Sequence, residues 1–280
     1  MPLNNMNKRF IKHFVEAFGT LASLATLIAF VYKWDTANIS LCGTFLFAIF
    51  IILVCGCYAL YQIQPKNSIT LLMRDFRINI SFGDLFSKKG IIVIPVNEFF
   101  DTIVDDQIIA HKTIHGQFID KYFANNIQDL DNMISQALAG KAHATPRYQR
   151  NHAKPTPYPI GTCIDIVHNG VTYVLFALTH FNEQDVAYLD RKEFGEAIRG
   201  LMTHLHDMNN DRTVNMPVIG TGMSKMQRSH QRVLTYFLDC IDFTDTSSLP
   251  AGLNIVVYSG DKDKVNLSLV EEYFEGNLAK

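Results

Sequence analysis

Cysteine is scarce in this chain of 280 residues: there are five, at positions 42, 55, 57, 163 and 240. They are too few and too scattered for a disulfide framework, which small secreted domains use and a chain of this length does without. Neither sign of charge is in excess. Lys and Arg total 25 against 27 Asp and Glu, a formal charge of −2, which argues against a strongly basic nucleic-acid binder. Charged residues make up 19% of the chain and hydrophobic residues 48%, and that apolar share excludes global disorder. Signatures of several familiar chemistries are missing too. The chain holds no Walker A loop, no GxGxxG fingerprint, no CxxC pair, no HExxH and no GxSxG elbow.

The shortage of charge is concentrated near the start. Residues 17–32 contain no charged side chain, and neither do residues 39–64. A membrane span needs roughly 17 to 25 residues. The second run meets that length alone. The first is extended by Glu16 and Lys33, which can snorkel to water, with Tyr32 and Trp34 as an interfacial aromatic pair. Both are predicted to be transmembrane helices. The short connection at 33–38 makes them antiparallel neighbours, with both chain ends on one side. Lys8, Arg9 and Lys12 precede the first span, and Lys66, Arg74 and Arg77 follow the second. The positive-inside rule then predicts a multi-pass protein of the inner membrane with both termini in the cytoplasm. Gly19 and Ser23 form a small-xxx-small pair that permits close helix approach. No A-x-A-like cleavage site follows, which argues against a cleaved signal peptide.

From about residue 68 the composition is that of a globular domain. Strands are predicted at 77–82, 90–96, 162–167, 171–178, 213–219 and 253–258, with an Asn-Gly hairpin turn at 169–170. Helices are predicted at 105–123, 130–138, 193–208 and 231–241. This interleaving implies an α/β layered domain with a mixed sheet. One loop, 141–159, is basic and rich in proline, and its length marks it as a functional insertion.

Ligands of such sheets bind at the carboxyl ends of strands, so the residues there are the candidates. The stretch PVIGTGMSK places Gly220, Thr221, Gly222, Met223, Ser224 and Lys225 after a buried strand, where backbone N–H groups can cradle phosphate oxygens. An ordinary strand–helix turn is the competing account. Asp84, after the strand RINISF, can accept from a base or ribose, or cap a turn. Asn97 closes the strand GIIVIPV and can bind a ribose hydroxyl; structural Asn is common there. His115, Gly116 and Gln117 follow, where the glycine either admits a ligand or starts a helix. Thr179, with His180, Phe181 and Asn182, follows a further strand at the same edge. His111 and His115, and His204 and His206, lack a metal-binding context and are read as ordinary imidazoles. Cys163 and Cys240 read as core residues, and no convincing nucleophile is found.

These signals together, in this order, resemble a macro domain, the ADP-ribose-binding module. The resemblance spans about residues 77–258. It implies that Asp84 recognises adenine, that Gly220 to Ser224, with Lys225, wrap the diphosphate, and that Asn97 lies near the distal ribose. His115, Gly116 and Gln117 complete the distal side, and Thr179 is a further ligand contact at the same edge. The glycine triplet that usually follows the Asn is missing, and residues 99–118 stand in its place. Hydrolysis by some macro domains depends on that loop, so the resemblance implies a binder, not an enzyme, with no cofactor and an ADP-ribose derivative as ligand. Two apolar helices ahead of such a domain resemble the membrane-bound effectors of bacterial Thoeris antiviral defence. That resemblance implies a signal such as histidine-linked ADP-ribose, made by a TIR-domain partner. It further implies homo-oligomeric assembly, disruption of the lipid bilayer and death of the infected cell. The expected architecture is a cytoplasmic tail (1–13), a two-helix transmembrane hairpin (14–64), a linker (65–76) and a macro-like three-layer α/β/α domain with a mixed sheet (77–280). Two alternatives remain: a membrane-held ADP-ribosylhydrolase or NAD-cleaving enzyme, and a passive membrane-tethered reader of ADP-ribosylated partners.

Overall fold

A computed structural model describes residues 3–31, 41–73, 76–150, 153–208, 211–220, 228–244 and 249–278. The chain divides into two compact units, Met1–Lys66 and Asn67–Lys280.

The first unit consists of α1 (Leu3–Val31) and α2 (Leu41–Gln62), packed against each other. Stretches Asn7–Ile28 and Phe45–Gln62 are each long and apolar enough to cross a membrane. Residues 3–13, expected as a tail, are the first turns of α1. The expected turn at 33–38 lies outside the described residues. Side chains all along α2, among them Phe45, Ile49, Phe50 and Leu53, are exposed; a helix apolar on every side needs lipid or protein around it. Among the described positions of α2, Cys55 and Ala59 are buried, whereas Cys57 is exposed.

The second unit is built on one mixed sheet. Its strands are β1 (Ser68–Met73), β2 (Phe76–Gly83), β3 (Ile91–Asn97), β4 (Cys163–His168), β5 (Val171–Phe181), β6 (Ala187–Tyr188), β7 (Val214–Pro217) and β8 (Leu253–Tyr258). They run in the order β1-β2-β8-β7-β3-β5-β4, with β6 added to the end of β5. The five central strands are parallel, and β1 and β4 are antiparallel to their neighbours. The linker expected at 65–76 is therefore mostly strand: β1 buries Ile69, Leu71 and Met73 by simple alternation.

Among the described residues, five helices cover the sheet: α3 (Ile114–Tyr122), α4 (Ile127–Leu138), α5 (Arg191–Asp207), α6 (His230–Asp242) and α7 (Leu267–Leu278). Period two sends the strand side chains to opposite faces. Ile91 and Val93 join a cluster with α5, α6 and α7. Ile92, Ile94 and Val96 join another with α3 and α4. The result is three layers. A row of amides fixes the register within the sheet. Asn79 donates to Asn254 at 3.4 Å, Asn254 to Asn215 at 2.8 Å, and Asn215 to the carbonyls of Lys89 and Ile91 at 2.8 and 3.1 Å.

One expected helix is shorter than its pattern. Residues 105–123 were expected to be helical throughout, yet α3 begins only at Ile114. Asp105 accepts from the N–H groups of Gln107 and Ile108 at 2.9 and 2.7 Å, and Asp106 from that of His111 at 3.0 Å. These carboxylates satisfy the amides in a non-helical turn, a competition that short acidic side chains win readily.

Candidate functional site

Parallel strands bring their carboxyl ends to one edge. Across that edge lie Gly83 and Asp84 after β2, Tyr258 ending β8, Pro217 to Gly220 after β7, Asn97 ending β3, and Thr179 in β5. Gly83 pairs with Tyr258, and Asn97 with Thr179. The chain reverses direction between β7 and β3: it passes from β3 outward to β5, then returns to β7 on the other side. Strands β3 and β7 pair at Ile91–Val214 and Ile92–Asn215, and the ladder stops there. Pro95 and Pro217, further along, have no N–H to continue it. A crevice at such a switch point is where an open α/β sheet takes its ligand.

Each residue of the expected site has a definite place. Asp84 is exposed and caps a short 3₁₀ turn (Leu85–Ser87), its Oδ1 accepting from Phe86 N–H at 3.0 Å. Asn97 is buried, and its Oδ1 accepts from the N–H groups of Phe99 and Asp101 at 3.0 and 3.4 Å. That leaves its amide group to offer a ligand. The turn it holds is strained: Phe100, fully buried, has φ +51°, a region disfavoured for a bulky side chain. Gly220 is buried with φ +93°, a left-handed conformation that admits glycine freely and turns the chain sharply after β7. Thr221, Gly222, Met223, Ser224 and Lys225 lie outside the described residues.

The segment after Asn97 serves packing. Gly116 sits in the first turn of α3, where its N–H is capped by Thr113 Oγ1 at 3.0 Å. A Cβ at 116 would stand 2.3 Å from the Ala110 carbonyl oxygen. The room expected for a ligand is taken by the chain's own backbone. Gln117 is exposed and donates to the Lys112 carbonyl at 3.0 Å. His115 is buried, and desolvation, aided by the charge of Lys154, lowers its pKa to about 3. It is a neutral core imidazole.

The buried ionic network beside Asn97 has no signature in the local sequence. Arg150, from the basic loop, grips both oxygens of Asp101 at 3.0 and 2.8 Å and donates to Asp185 at 2.8 Å. Its guanidinium lies over the rings of Phe99 and Phe181, at 4.2 and 5.1 Å. Burial raises the Asp101 carboxyl above its ordinary value, with Arg150 opposing. Lys154 donates to the Phe100 carbonyl and pairs with Asp131, both at 2.7 Å. The loop is thereby strapped over the turn that follows β3. His180 lies between Glu98 and Glu193, 2.6 Å from each. Burial would lower its pKa; the two carboxylates outweigh that and raise it, against the charge of Arg147. Tyr258, at the same edge, was not singled out from the sequence either. It ends a strand and is 71% exposed, an aromatic at the tip next to Gly83. Cys163 is buried, which pushes its thiol pKa up and makes it a poor nucleophile. An open groove of about 360 Å³ lies elsewhere, between α5 and the start of β4, lined by Lys141, Thr162, Gly200 and His204 among others.

The second unit is thus a three-layer α/β/α domain on a mixed sheet, a macro-like fold, and comparison with solved structures agrees. The unit superimposes on an Oceanobacillus iheyensis macrodomain with ADP at TM-score 0.50 and 12% identity, covering 76% of this chain and 96% of the other. A structure of an Oceanobacillus iheyensis macrodomain with MES bound gives TM-score 0.50 at 14% identity, over 76% and 97% of the two chains. The family model of the Thoeris protein ThsA macro domain matches residues 78–258, and the chain belongs to that family. It is 26% identical over 223 residues to Thoeris protein ThsA of Bacillus amyloliquefaciens (strain Y2), covering 76% of this chain and 72% of that protein.

Proposed function

We propose that the Asn67–Lys280 unit binds an ADP-ribose derivative along the crevice between β7 and β3, and that the apolar helices convert binding into a membrane event. The observation that carries this reading is the row of strand tips: Asp84 and Tyr258 at one end, Gly220 in the middle, Asn97 and Thr179 at the other. Adenine stacks on Tyr258 and donates to Asp84. The diphosphate meets the backbone from Gly220 to Lys225, as glycine-rich turns permit. The Asn97 amide serves the distal ribose. The Oceanobacillus iheyensis macrodomain of the same fold was solved with ADP, which supports a nucleotide ligand.

Binding without turnover is the better reading. The Asn97 acceptor is spent on backbone amides, Cys163 is buried, and Gly116 is closed by Ala110. Antiviral defence follows from family membership. A TIR-domain partner supplies the signal, and the bound form assembles as a homo-oligomer in the inner membrane, with both termini cytoplasmic. Assembly disrupts the bilayer and kills the infected cell. A ligand drives such a change only by binding the assembled state more tightly. Calorimetry with the full-length chain in detergent tests the reading: ADP-ribose or its conjugates bind and are recovered intact. Failure of all of them to bind removes the proposal, and recovery as cleaved products replaces it with the hydrolase.

A further inference from the structure

We propose that His180 is a positioning residue for the ligand site, which holds the tips of β3 and β5 to α5 while it carries its proton. The proposal rests on the nucleotide-binding reading above and adds how that site is held in shape.

Glu98 directly follows Asn97, and His180 directly follows Thr179. Three hydrogen bonds join Glu98 to residues 179–181. Glu98 donates its N–H to the Thr179 carbonyl at 2.8 Å, its Oε1 accepts from Phe181 N–H at 3.1 Å, and its Oε2 lies 2.6 Å from His180 Nδ1. Glu98 and His180 are both 4% exposed. On the other side of the ring, Nε2 lies 2.6 Å from Glu193 Oε2, on α5. Arg147, from the basic loop, brings Nη2 to 3.1 Å from the same Nε2, and its Nη1 to 3.8 Å from Glu98 Oε2. Tyr188 of β6 places its ring 5.4 Å from the imidazole and accepts from Arg147 Nη1 at 3.1 Å. Among the described residues, Glu98, Glu193, Arg147 and Tyr188 are the titratable and charged groups that face the ring. Contacts of 2.6 Å are direct hydrogen bonds and leave no room for a cation between the partners.

A neutral imidazole has a single N–H. It can donate to one carboxylate, and two ionised carboxylates on its two nitrogens require the imidazolium. Protonated, His180 bridges β3 to α5. Once Nε2 loses its proton it becomes an acceptor, so it repels Glu193 and takes the hydrogen bond that Arg147 offers. The ring then exchanges α5 for the basic loop. Asn97 and Thr179 are each one residue from the bridge, so the exchange alters the distal end of the crevice. Such a rearrangement is paid for out of ligand affinity.

The experiment uses the full-length chain in detergent. ADP-ribose affinity is measured by calorimetry from about pH 6 to about pH 9, a range in which a histidine changes charge and the diphosphate and adenine of the ligand do not. Affinity is expected to be level at the acid end and to fall about tenfold as pH rises through the titration of His180, the size of one charge-assisted hydrogen bond. Glu193→Gln keeps the shape and removes one of the charges that favour the imidazolium, so the midpoint moves to lower pH. On uniformly ¹⁵N-labelled protein without ligand, NMR follows the His180 ring directly, and the amide signals of Asn97 and Glu98 move with it. An affinity flat with pH overturns the proposal, as does a midpoint unmoved by Glu193→Gln. So do Asn97 and Glu98 amides that stay still while His180 titrates. No binding at any pH counts against the nucleotide reading instead, and the NMR titration still decides the role of His180.

Discussion

At position 116 a single missing side chain is explained by packing. The Ala110 carbonyl fills the space a Cβ would need, at 2.3 Å. Gly116→Ala is expected to destabilise the domain by about 1–3 kcal/mol, the usual cost of overpacking, seen as a lower Tm in thermal denaturation. Tyr258 makes the opposite prediction. At 71% exposure it contributes little to folding, so Tyr258→Ala should leave Tm nearly unchanged. Its loss should weaken ADP-ribose binding about tenfold in calorimetry, as expected for one base-stacking aromatic. That Asp84 and Asn97 stand at strand ends was legible in the sequence, because a strand's end is a place that can be read off the chain. Tyr258 ends a strand just as clearly, but its exposure depends on what neighbours it. The partners of His180 are 82 and 13 residues away in sequence, and no local pattern announces them.

Among the elements, the basic loop and the turn after β3 form one mechanical piece. Arg150 is the pin, with a side chain 2% exposed against an Asp101 side chain 1% exposed. Arg150→Ala leaves that carboxylate buried without its partner, which should cost about 3–5 kcal/mol. Limited proteolysis is expected to cut within 141–159 sooner than in the wild type. The acid–imidazole–acid bridge adds a pH dependence to stability. The His180 pKa is raised in the folded state, so its contribution is complete below the ordinary histidine value and is lost as pH rises through the raised one. Thermal denaturation should show Tm falling over that interval in the wild type and less so in His180→Gln. Strand β3 was legible as a continuous apolar run, β8 as a mostly apolar one, and the hairpin as Asn169-Gly170, both residues with positive φ. Strand β1 was not, because SITLLM is short and half its positions face solvent. The false start at residue 105 came from setting Ile108 and Ile109 in one helical pattern with Phe118, Ile119 and Tyr122, where two aspartates cap the backbone instead.

For the whole molecule, the division into two units falls where the sequence pattern changes from charge-free runs to a globular composition. Charge-free runs of about the length of a bilayer are visible without a structure, and so is the interleaving that builds an α/β sheet. The three layers and the switch point between β7 and β3 were not visible, since strand order is a property of the assembled sheet. If nucleotide binding governs assembly, full-length protein in lipid vesicles should release an entrapped dye when the ADP-ribose conjugate is added, and light scattering should record larger particles. A passive reader would bind the conjugate and do neither. Hydrogen–deuterium exchange of the full-length chain, with and without saturating ADP-ribose or its conjugate, tests the central claim most directly. Protection is expected at the strand tips, residues 83–86, 97–102, 217–228 and 258–260. Unchanged exchange there, or protection confined to the groove at 141, 162 and 200–207, would contradict it.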